Sequence, residues 1–114
     1  MIKQTRAEWR AEAARRFGKD PANWRFRCPA CGRETEIREF LELGGGPNDG
    51  IQNCIGRFNG HMRPADQAGD GLGCDWAAYG LLGTLGRGRS VTTEDGDVVE
   101  VFDFAPESGG DTEC

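Results

Sequence analysis

The stretch "RFRCPACGRE", residues 25–34, places two cysteines on either side of Pro-Ala. In a reducing compartment, closely spaced cysteines bind metal or perform redox chemistry more often than they form structural disulfides. The form CPACG is typical of metal-binding knuckles, in which a tight turn directs backbone N–H groups at the sulfurs. Gly32 suits the positive φ that this turn requires. The stretch therefore predicts one half of a metal site.

The second half of the site comes from cysteines that are farther apart. Cys54 follows Cys31 after 22 intervening residues, and Cys74 follows Cys54 after another 19. Both are flanked by glycine, in "NCIG" and "GLGCDW". The preferred ligand set is Cys28, Cys31, Cys54 and Cys74, holding a structural Zn²⁺ ion. His61 is the alternative fourth ligand, and iron in place of zinc and a chain without metal stay open. Cys114, in an acidic and glycine-rich terminus, is not expected to be a ligand.

A closed four-thiolate site carries excess negative charge and a large binding energy. Arginines close in sequence to the cysteines are expected to neutralise it: Arg25, Arg27, Arg33 and Arg57. Structural zinc contributes about 10–16 kcal/mol of apparent binding free energy in peptides, whereas a whole domain is stable by only about 5–15 kcal/mol. A bound metal would therefore decide whether this glycine-rich chain folds.

Catalytic interpretations find little support in the motifs. A redox-active C-x-x-C belongs to a fold of alternating strands and helices, which this chain lacks. A zinc deaminase needs H-x-E before P-C-x-x-C, whereas "HMR" follows the cysteine pair here. The glycines of "GLLGTLGRGRS" form no complete phosphate loop. We therefore expect a protein that is not an enzyme.

Length and composition predict one small domain with a thin core. Of the 114 residues, 37% are hydrophobic and 18 are glycine, so apolar burial alone is weak. Residues 1–105 are expected to form a single zinc-stabilised domain, and residues 106–114 a disordered acidic tail. Neither a signal peptide nor a membrane-spanning run is recognised, and a cytoplasmic protein is expected.

Hydrophobic patterning predicts an α+β fold. Thr5 and Glu8 form a capping box for an amphipathic helix over residues 6–17, which Gly18 ends. Alternation predicts a strand over residues 24–28, and Thr35 is expected to cap a second short helix. Strands are expected at 51–58 and within 74–85, with a loop at 59–73. "SVTT", "EDGD" and "VVEVFDF" predict a closing hairpin. The expected architecture is a zinc-ribbon-like knuckle, an N-terminal helix and a short antiparallel sheet.

Charge is distributed unevenly along the chain. Residues 1–33 carry nine Lys or Arg against three acids, and residues 91–114 carry eight acids without a base. The hairpin contributes a candidate acidic binding surface of Glu94, Asp95, Asp97, Glu100 and Asp103. The basic segment contributes candidate nucleic-acid contacts at Arg25, Arg27 and Arg33. Solvated faces that keep a small protein from aggregating explain the same pattern.

Four blocks of the sequence together resemble a known family. The blocks are "KQTRAEWRAEAARRFG", "NWRFRCPACG", "CIGRF" and "CDWAAYGLL", followed by the Val-rich strand pair. They are similar to small uncharacterised four-cysteine proteins encoded by phages and prophages. The resemblance implies that Cys28, Cys31, Cys54 and Cys74 belong together, and it implies no activity.

Two functions follow as hypotheses. The first is a phage-type accessory protein that binds a host protein or complex, for example an inhibitor of a defence system such as CRISPR-Cas. Its acidic hairpin would then occupy a basic channel of the target. The second is a nucleic-acid-binding zinc-ribbon module in transcription or replication, which the overall acidity disfavours.

Overall fold

The computed structural model describes residues 1–106 and has an α+β fold, as the sequence predicts. The expected tail, apart from Pro106, lies outside the described residues. The regular elements are β1 (Ile2–Thr5), α1 (Arg6–Phe17), β2 (Arg25–Arg27), β3 (Glu34–Glu36), α2 (Ile37–Glu42), β4 (Arg89–Thr92), β5 (Val98–Val101) and β6 (Asp103–Phe104). Single 3₁₀ turns occupy Pro21–Asn23, Asp49–Ile51, Ile55–Arg57 and Ala65–Gln67. No helix of this part of the chain is long and apolar enough to span a bilayer.

The predicted N-terminal helix is confirmed at both ends. The Thr5 side chain accepts a hydrogen bond from the Glu8 N–H, and the Glu8 carboxylate accepts one from the Thr5 N–H. Trp9 and Ala13 are buried one turn apart on the inner face. The helix ends at Gly18, which adopts a φ of 100° that other residues rarely adopt. Local sequence therefore determines α1 completely.

The strands form two three-stranded sheets instead of one antiparallel sheet. In the first sheet the order is β1-β4-β5, with β1 parallel to β4 and β4 antiparallel to β5. In the second the order is β3-β2-β6, with both pairs antiparallel. The strand β1 was not predicted, and its parallel pairing spans most of the chain. The fold is thus closed by joining its N-terminal strand to its last third.

The predicted closing hairpin is confirmed, but its second run serves both sheets. Val91 pairs with Val99 across the β4–β5 turn. At Phe102 the chain leaves the first sheet, and the Phe102 N–H donates to the Ile51 carbonyl over 2.8 Å. Phe104 then pairs with Phe26 in the second sheet. The run "VVEVFDF" is therefore two strands joined by a buried phenylalanine.

Three local predictions are wrong. Residues 51–58 form turns instead of a strand. Residues 74–85 form turns and irregular backbone, and their β-type pairing is limited to an isolated bridge between Asn53 and Ala77. Thr35 lies in β3, and the cap of α2 is at Glu36, whose N–H donates to the Glu39 carboxylate. The backbone of residues 51–58 and 74–85 is shaped by bringing Cys54 and Cys74 to the sulfur cluster described below.

An aromatic cluster joins α1 to the second sheet. Trp9 packs edge-on against Trp24 with ring centroids 5.8 Å apart, and its ring stacks on Phe26 at 6.0 Å and Phe104 at 6.1 Å. All four side chains are buried. Aromatic pairs contribute about 0.5–1.5 kcal/mol each beyond the area they bury. This cluster is the apolar centre of a chain with few large side chains.

A buried arginine ties the two sheets to α1. Arg89 on β4 is only 3% exposed. Its guanidinium donates to Asp103 Oδ1 at 2.7 Å, Glu12 Oε1 at 2.6 Å and Gln4 Oε1 at 3.0 Å, and lies 4.6 Å from the centre of the Phe104 ring. A buried charge is tolerated only when it is paired and hydrogen-bonded in this way. Burial alone would raise the pKa of Glu12, but the hydrogen bonds from Arg89, Gln4 and Arg16 outweigh it and lower the pKa.

The lowered pKa of Glu12 predicts a pH-dependent contribution to stability. Glu12→Gln should lower the free energy of unfolding at pH 7 by about 1.5–3 kcal/mol, because hydrogen bonds to a charged group are lost. A lowered folded-state pKa stabilises above the unfolded pKa, near 4.5, and the contribution disappears as pH falls through the folded pKa. Urea unfolding of both proteins between neutral and acidic pH measures the difference. A difference that stays constant down the whole range would contradict the assignment.

Candidate metal centre

Four cysteine sulfurs converge on one point between the β2–β3 turn and the two glycine-rich segments. The residues are Cys28, Cys31, Cys54 and Cys74, the set selected from the sequence, and their Sγ atoms all lie within 4.8 Å of one another. The Cys28–Cys74 and Cys31–Cys54 sulfur pairs are each 3.7 Å apart. A disulfide would require about 2.05 Å, so the four are free thiols.

The sulfur spacing fits a tetrahedral metal ion. Zinc–thiolate bonds are about 2.3 Å long, and a regular tetrahedron with that radius has sulfur–sulfur edges of about 3.8 Å. The Cys28–Cys74 and Cys31–Cys54 sulfur pairs, at 3.7 Å, match those edges. Cys28, Cys54 and Cys74 are buried, and Cys31 is partly buried. The cluster could therefore hold one metal ion with a closed shell of four sulfurs.

The first cysteine pair lies in the hairpin turn between β2 and β3, and not before a helix as the sequence indicated. The Cys28 N–H donates to the Arg33 carbonyl at 2.9 Å, and the Gly32 N–H donates to the Cys28 carbonyl at 3.0 Å. Gly32 adopts a φ of 82°. Gly32 thus has the positive φ predicted for this turn, and the flanking strands pair in an antiparallel manner.

The second cysteine pair depends on two glycines that cross in contact. A Cβ added to Gly56 would lie 2.3 Å from the Cys74 carbonyl oxygen, and one added to Gly73 would lie 2.6 Å from the Gly56 nitrogen. The Cys74 N–H donates to Cys54 Sγ at 3.2 Å. The glycines flanking both cysteines are therefore needed for the close approach of two backbones.

The four thiols do not share charge equally in the absence of metal. The pKa of Cys54 is lowered to about 5, first by a hydrogen bond from the Cys28 thiol and then by the N–H groups of Gly56 and Cys74. The pKa of Cys28 is raised, because its thiol hydrogen-bonds to Cys54 and is buried. Burial raises the pKa of Cys74 to about 12. Metal binding must therefore displace protons from the cluster.

An arginine that the sequence analysis missed interacts with the sulfurs electrostatically. Arg63 Nε donates to the Gly73 carbonyl at 3.1 Å. The pKa of Arg63 is raised, first by its hydrogen bond to Asp70 and also by the charges of Cys31 and Cys74. Arg63 lies far from the cysteines in sequence, in a segment without periodicity, so only its place in the fold reveals it.

The arginines expected to contact nucleic acid have different partners. Arg25 pairs with Glu36 at 3.3 Å, and Arg33 pairs with Glu39 at 2.8 Å. Arg27 is exposed at the end of β2, with its guanidinium beside Gly32. Two of the three predicted contacts thus already carry a carboxylate partner.

His61, the alternative ligand, lies outside the sulfur cluster. Its Nδ1 atom is 3.0 Å from Asn59 Oδ1, and its N–H also donates to that oxygen. Within residues 1–106, the group of side chains close enough to share an ion consists of the four cysteines alone. The histidine belongs to the local turn of its own loop.

The acidic residues of the hairpin divide into two groups. Asp95 and Asp97 are exposed at the turn, and Glu94 forms an exposed ion pair with Arg6 at 3.2 Å. Glu100 instead accepts hydrogen bonds from the Thr84 N–H, at 2.8 Å, and from the Thr84 hydroxyl. Asp103 is held by Arg89, as described above. The outward acidic surface is therefore smaller than the sequence predicts.

An exposed apolar loop was also missed. Residues 79–85, "YGLLGTL", expose four large side chains: Tyr79, Leu81, Leu82 and Leu85. The sequence analysis expected a strand within residues 74–85 and did not single out these side chains. Their only sequence signal is a run of leucines interrupted by glycines, which fits neither helix nor strand periodicity.

One comparison with known proteins gives a match. A family model described as VVA0879-like matches residues 5–105, which include all four cysteines of the cluster. No curated protein and no solved structure matches the chain.

Metal content and thiol protection test the cluster directly. Mass spectrometry of the purified protein should find one metal ion per chain, with four thiols protected until it is denatured in chelator. Cys54→Ser should lose the metal and the cooperative unfolding transition, since a structural metal contributes about 10 kcal/mol or more. Cys114→Ser is the matched control and should change neither. Five freely reactive thiols in the native protein would rule out the site.

The glycine crossing predicts a site-specific loss of metal affinity. Gly56→Ala should destabilise the metal-loaded protein by about 3 kcal/mol or more, because the new methyl group collides with the backbone of Cys74. Gly69→Ala is the matched control, since nothing lies within 4 Å of its added Cβ. Thermal unfolding and competition with a chromophoric chelator measure both. Equal effects of the two substitutions would disprove the crossing.

Proposed function

The chain belongs to the VVA0879-like family, and we propose that this member is a zinc-stabilised, non-enzymatic accessory protein that acts by binding another protein. We propose further that it is of phage type, acts in the host cytoplasm and inhibits a host defence complex such as CRISPR-Cas. The observation that carries the proposal is an exposed apolar loop that is hydrogen-bonded to one face of an acidic hairpin.

Zinc is the proposed metal because of the donor set. Four thiolates at tetrahedral spacing favour Zn²⁺ among the common divalent ions, and the two 3.7 Å sulfur pairs fit its bond length. Catalytic zinc keeps one coordination position open, whereas four sulfurs close the shell. The site therefore supports a structural role and no reaction at the metal.

The exposed loop is held in place by partly buried hydrogen bonds. Trp76 Nε1 donates to the Gly83 carbonyl at 2.8 Å, and the Tyr79 hydroxyl donates to Asn53 Oδ1 at 2.8 Å. Thr84 is fully buried, while Leu81 is fully exposed and Leu82 is 65% exposed. Apolar side chains that a rigid segment presents to water are typical of a binding surface.

The loop rests on the outer face of the hairpin. The Glu100 carboxylate meets Gly83 and Thr84 there, and the Thr84 hydroxyl lies 3.7 Å from Met1 Sδ. Strand alternation puts Val98, which is 67% exposed, on the same face as Glu100. The exposed apolar side chains of the loop, Met1 and Val98 thus belong to one side of the molecule.

This surface resembles a protein–protein interface in its composition. Such interfaces have an apolar centre surrounded by a polar rim. Here the leucines supply the centre, and Asp95 and Asp97 at the hairpin turn supply negative charge at the rim. Complementary charge accelerates association and selects partners. The favoured partner is therefore a protein with an apolar pocket beside a basic surface, such as a nucleic-acid channel.

Nucleic-acid binding is the second candidate, and one cavity favours it. A cavity of about 670 Å³ beside the metal knuckle is lined by Arg16, Arg27, Arg87 and Arg89, with Asp103 as its one acid among the described residues. Arg16 and Arg89 pair with carboxylates, and Arg87 donates to the Pro29 carbonyl at 2.9 Å. Arg27 is therefore the arginine of this lining that is best placed to bind a phosphate. We rank this function second because the accessible basic surface is small.

A pull-down with matched variants tests protein binding. The tagged full chain should retain a stoichiometric protein from nuclease-treated host lysate. Leu81→Asp with Leu82→Asp should weaken retention about 30-fold or more, because it removes the apolar centre. Leu43→Asp, at an exposed leucine after α2, is the control and should have no effect. Asp95→Lys with Asp97→Lys should reduce retention and its dependence on salt.

Two results would contradict the proposal. Equal retention by the loop variant and its control would show that the loop does not contribute to binding. Empty pull-downs from infected and uninfected cells would show that the protein has no stable protein partner there. Retention of nucleic acid that falls with salt and is lost in Arg27→Glu would favour the second candidate.

A further inference from the structure

A second cavity opens on the opposite face of the hairpin. It measures about 550 Å³ and lies between α1, the inner face of β4 and β5, and residues 47–52. Its walls are mostly apolar and include Trp9, Trp24, Ile37, Val91 and Val101. Small-molecule sites are typically apolar cavities of about 300–1,000 Å³ with a few polar groups. Neither the metal cluster nor the proposed protein-binding surface uses this cavity.

Two buried polar atoms in its lining lack partners. Trp9 is 7% exposed, and no residue of the described chain accepts a hydrogen bond from its Nε1. Thr93 Oγ1 is likewise buried without a partner. The other two indoles differ, because Trp24 Nε1 donates to the Gly18 carbonyl and Trp76 Nε1 donates to the Gly83 carbonyl. A buried N–H without an acceptor is destabilising. Because Trp9 Nε1 is closed to water, a ligand oxygen that complements it must first displace the indole or its neighbours slightly.

Two arginines provide positive charge at the same cavity. Arg10 lies 5.5 Å above the Trp24 ring, and among residues 1–106 no carboxylate forms an ion pair with it. Within the part of the chain that the structure describes, Arg6 pairs only with the exposed carboxylate of Glu94, at 3.2 Å. The pKa of Glu94 is lowered, first by a hydrogen bond from its own N–H and then by Arg6 and Arg10. Exposed pairs of this kind are weak, so another carboxylate can replace Glu94.

We propose that this cavity binds a small organic acid with an apolar body and a second oxygen acceptor. The apolar body lies against the tryptophan and valine walls, and the second oxygen accepts the Trp9 Nε1 hydrogen bond. The carboxylate binds Arg6 and Arg10 and displaces Glu94 from Arg6. Binding is non-covalent and independent of the proposed protein-binding function.

Three related probes separate the parts of this proposal. 3-Benzoylpropionate has the aromatic body, the ketone and the carboxylate; 4-phenylbutyrate lacks the ketone; and 3-benzoylpropionamide lacks the charge. Each is titrated into the metal-loaded full chain labelled with ¹⁵N, and the three indole N–H signals are followed. The Trp9 signal, assigned by its loss in Trp9→Phe, should move downfield and saturate. The Trp76 signal is the internal control and should not move.

The expected affinities follow from the contacts. 3-Benzoylpropionate should bind about 3- to 10-fold more tightly than either of the other two probes, since each lacks one hydrogen-bonded group. The advantage over 4-phenylbutyrate should vanish in Trp9→Phe. Arg10→Gln should reduce the preference for the acid over the amide, with Arg6 retaining part of it, and leave the affinity for the amide unchanged.

Glu94 gives the sharpest control. Glu94→Gln should raise the affinity for the acid severalfold and not that for the amide, because it removes the competing carboxylate. Asp95→Asn changes the net charge equally at the neighbouring exposed residue and should change neither affinity. The proposal is overturned by an unsaturated or unmoved Trp9 signal, by equal affinities for acid and amide, or by equal effects of the Glu94 and Asp95 variants. The wild-type comparison of probes decides the case even where a variant fails to fold.

Discussion

The convergence of four sulfurs within 4.8 Å is the constraint on which the rest of the structure depends. Between Glu42 and Arg89 the regular structure consists of 3₁₀ turns, and the ladder contacts of this segment amount to one bridge. Such a segment gains little stability from regular secondary structure, whereas ordering it costs conformational entropy. A metal ion held by Cys54 and Cys74 and anchored to the β2–β3 knuckle would remove that difficulty, because its binding free energy would become folding free energy.

A second centre organises the half of the molecule that is remote from the sulfurs. Arg89 contacts side chains from β1, α1 and β6 at once, and the aromatic cluster around Trp9 packs beside it through Phe104. The net contribution of a buried ion pair is small, since desolvation offsets most of the attraction. The effect of these ion pairs is geometric. Because the Arg89 guanidinium has three acceptors in fixed directions, β1, α1 and β6 can be arranged around it in only one way. Folding stability would come mainly from a bound metal and from the aromatic rings, whereas the arginine fixes how β1, α1 and β6 are placed relative to one another.

The sequence predicts those parts of the fold whose geometry is encoded over a few residues. The capping box at Thr5, the glycine-dependent turn at Gly32 and the Asp-Gly hairpin turn are local, and all three are found. Residues 51–58 and 74–85 were misassigned because their backbone satisfies sulfur ligation and the contact of Gly56 with Gly73, which are long-range requirements. The parallel pairing of β1 and the role of Arg89 are equally non-local. The cysteine set was predictable from chemistry, and its geometry was not.

Stabilisation centred on the sulfur cluster also explains why this chain can leave apolar side chains exposed. When a fold is stabilised mainly by hydrophobic burial, each exposed leucine is one that does not contribute to the core. A fold stabilised by a metal ion depends less on that contribution. Here Thr84 is buried and Trp76 is partly buried and hydrogen-bonded to the loop, while Leu81 and Leu82 face water. The hairpin separates this loop on its outer face from the apolar cavity against the inner valines. Glu100 fixes the outer contact and Glu94 lies near the mouth of the cavity, so one acidic hairpin supports two chemically different surfaces. Each acidic residue of the hairpin therefore has its own contact, and the hairpin is not a uniform negatively charged surface.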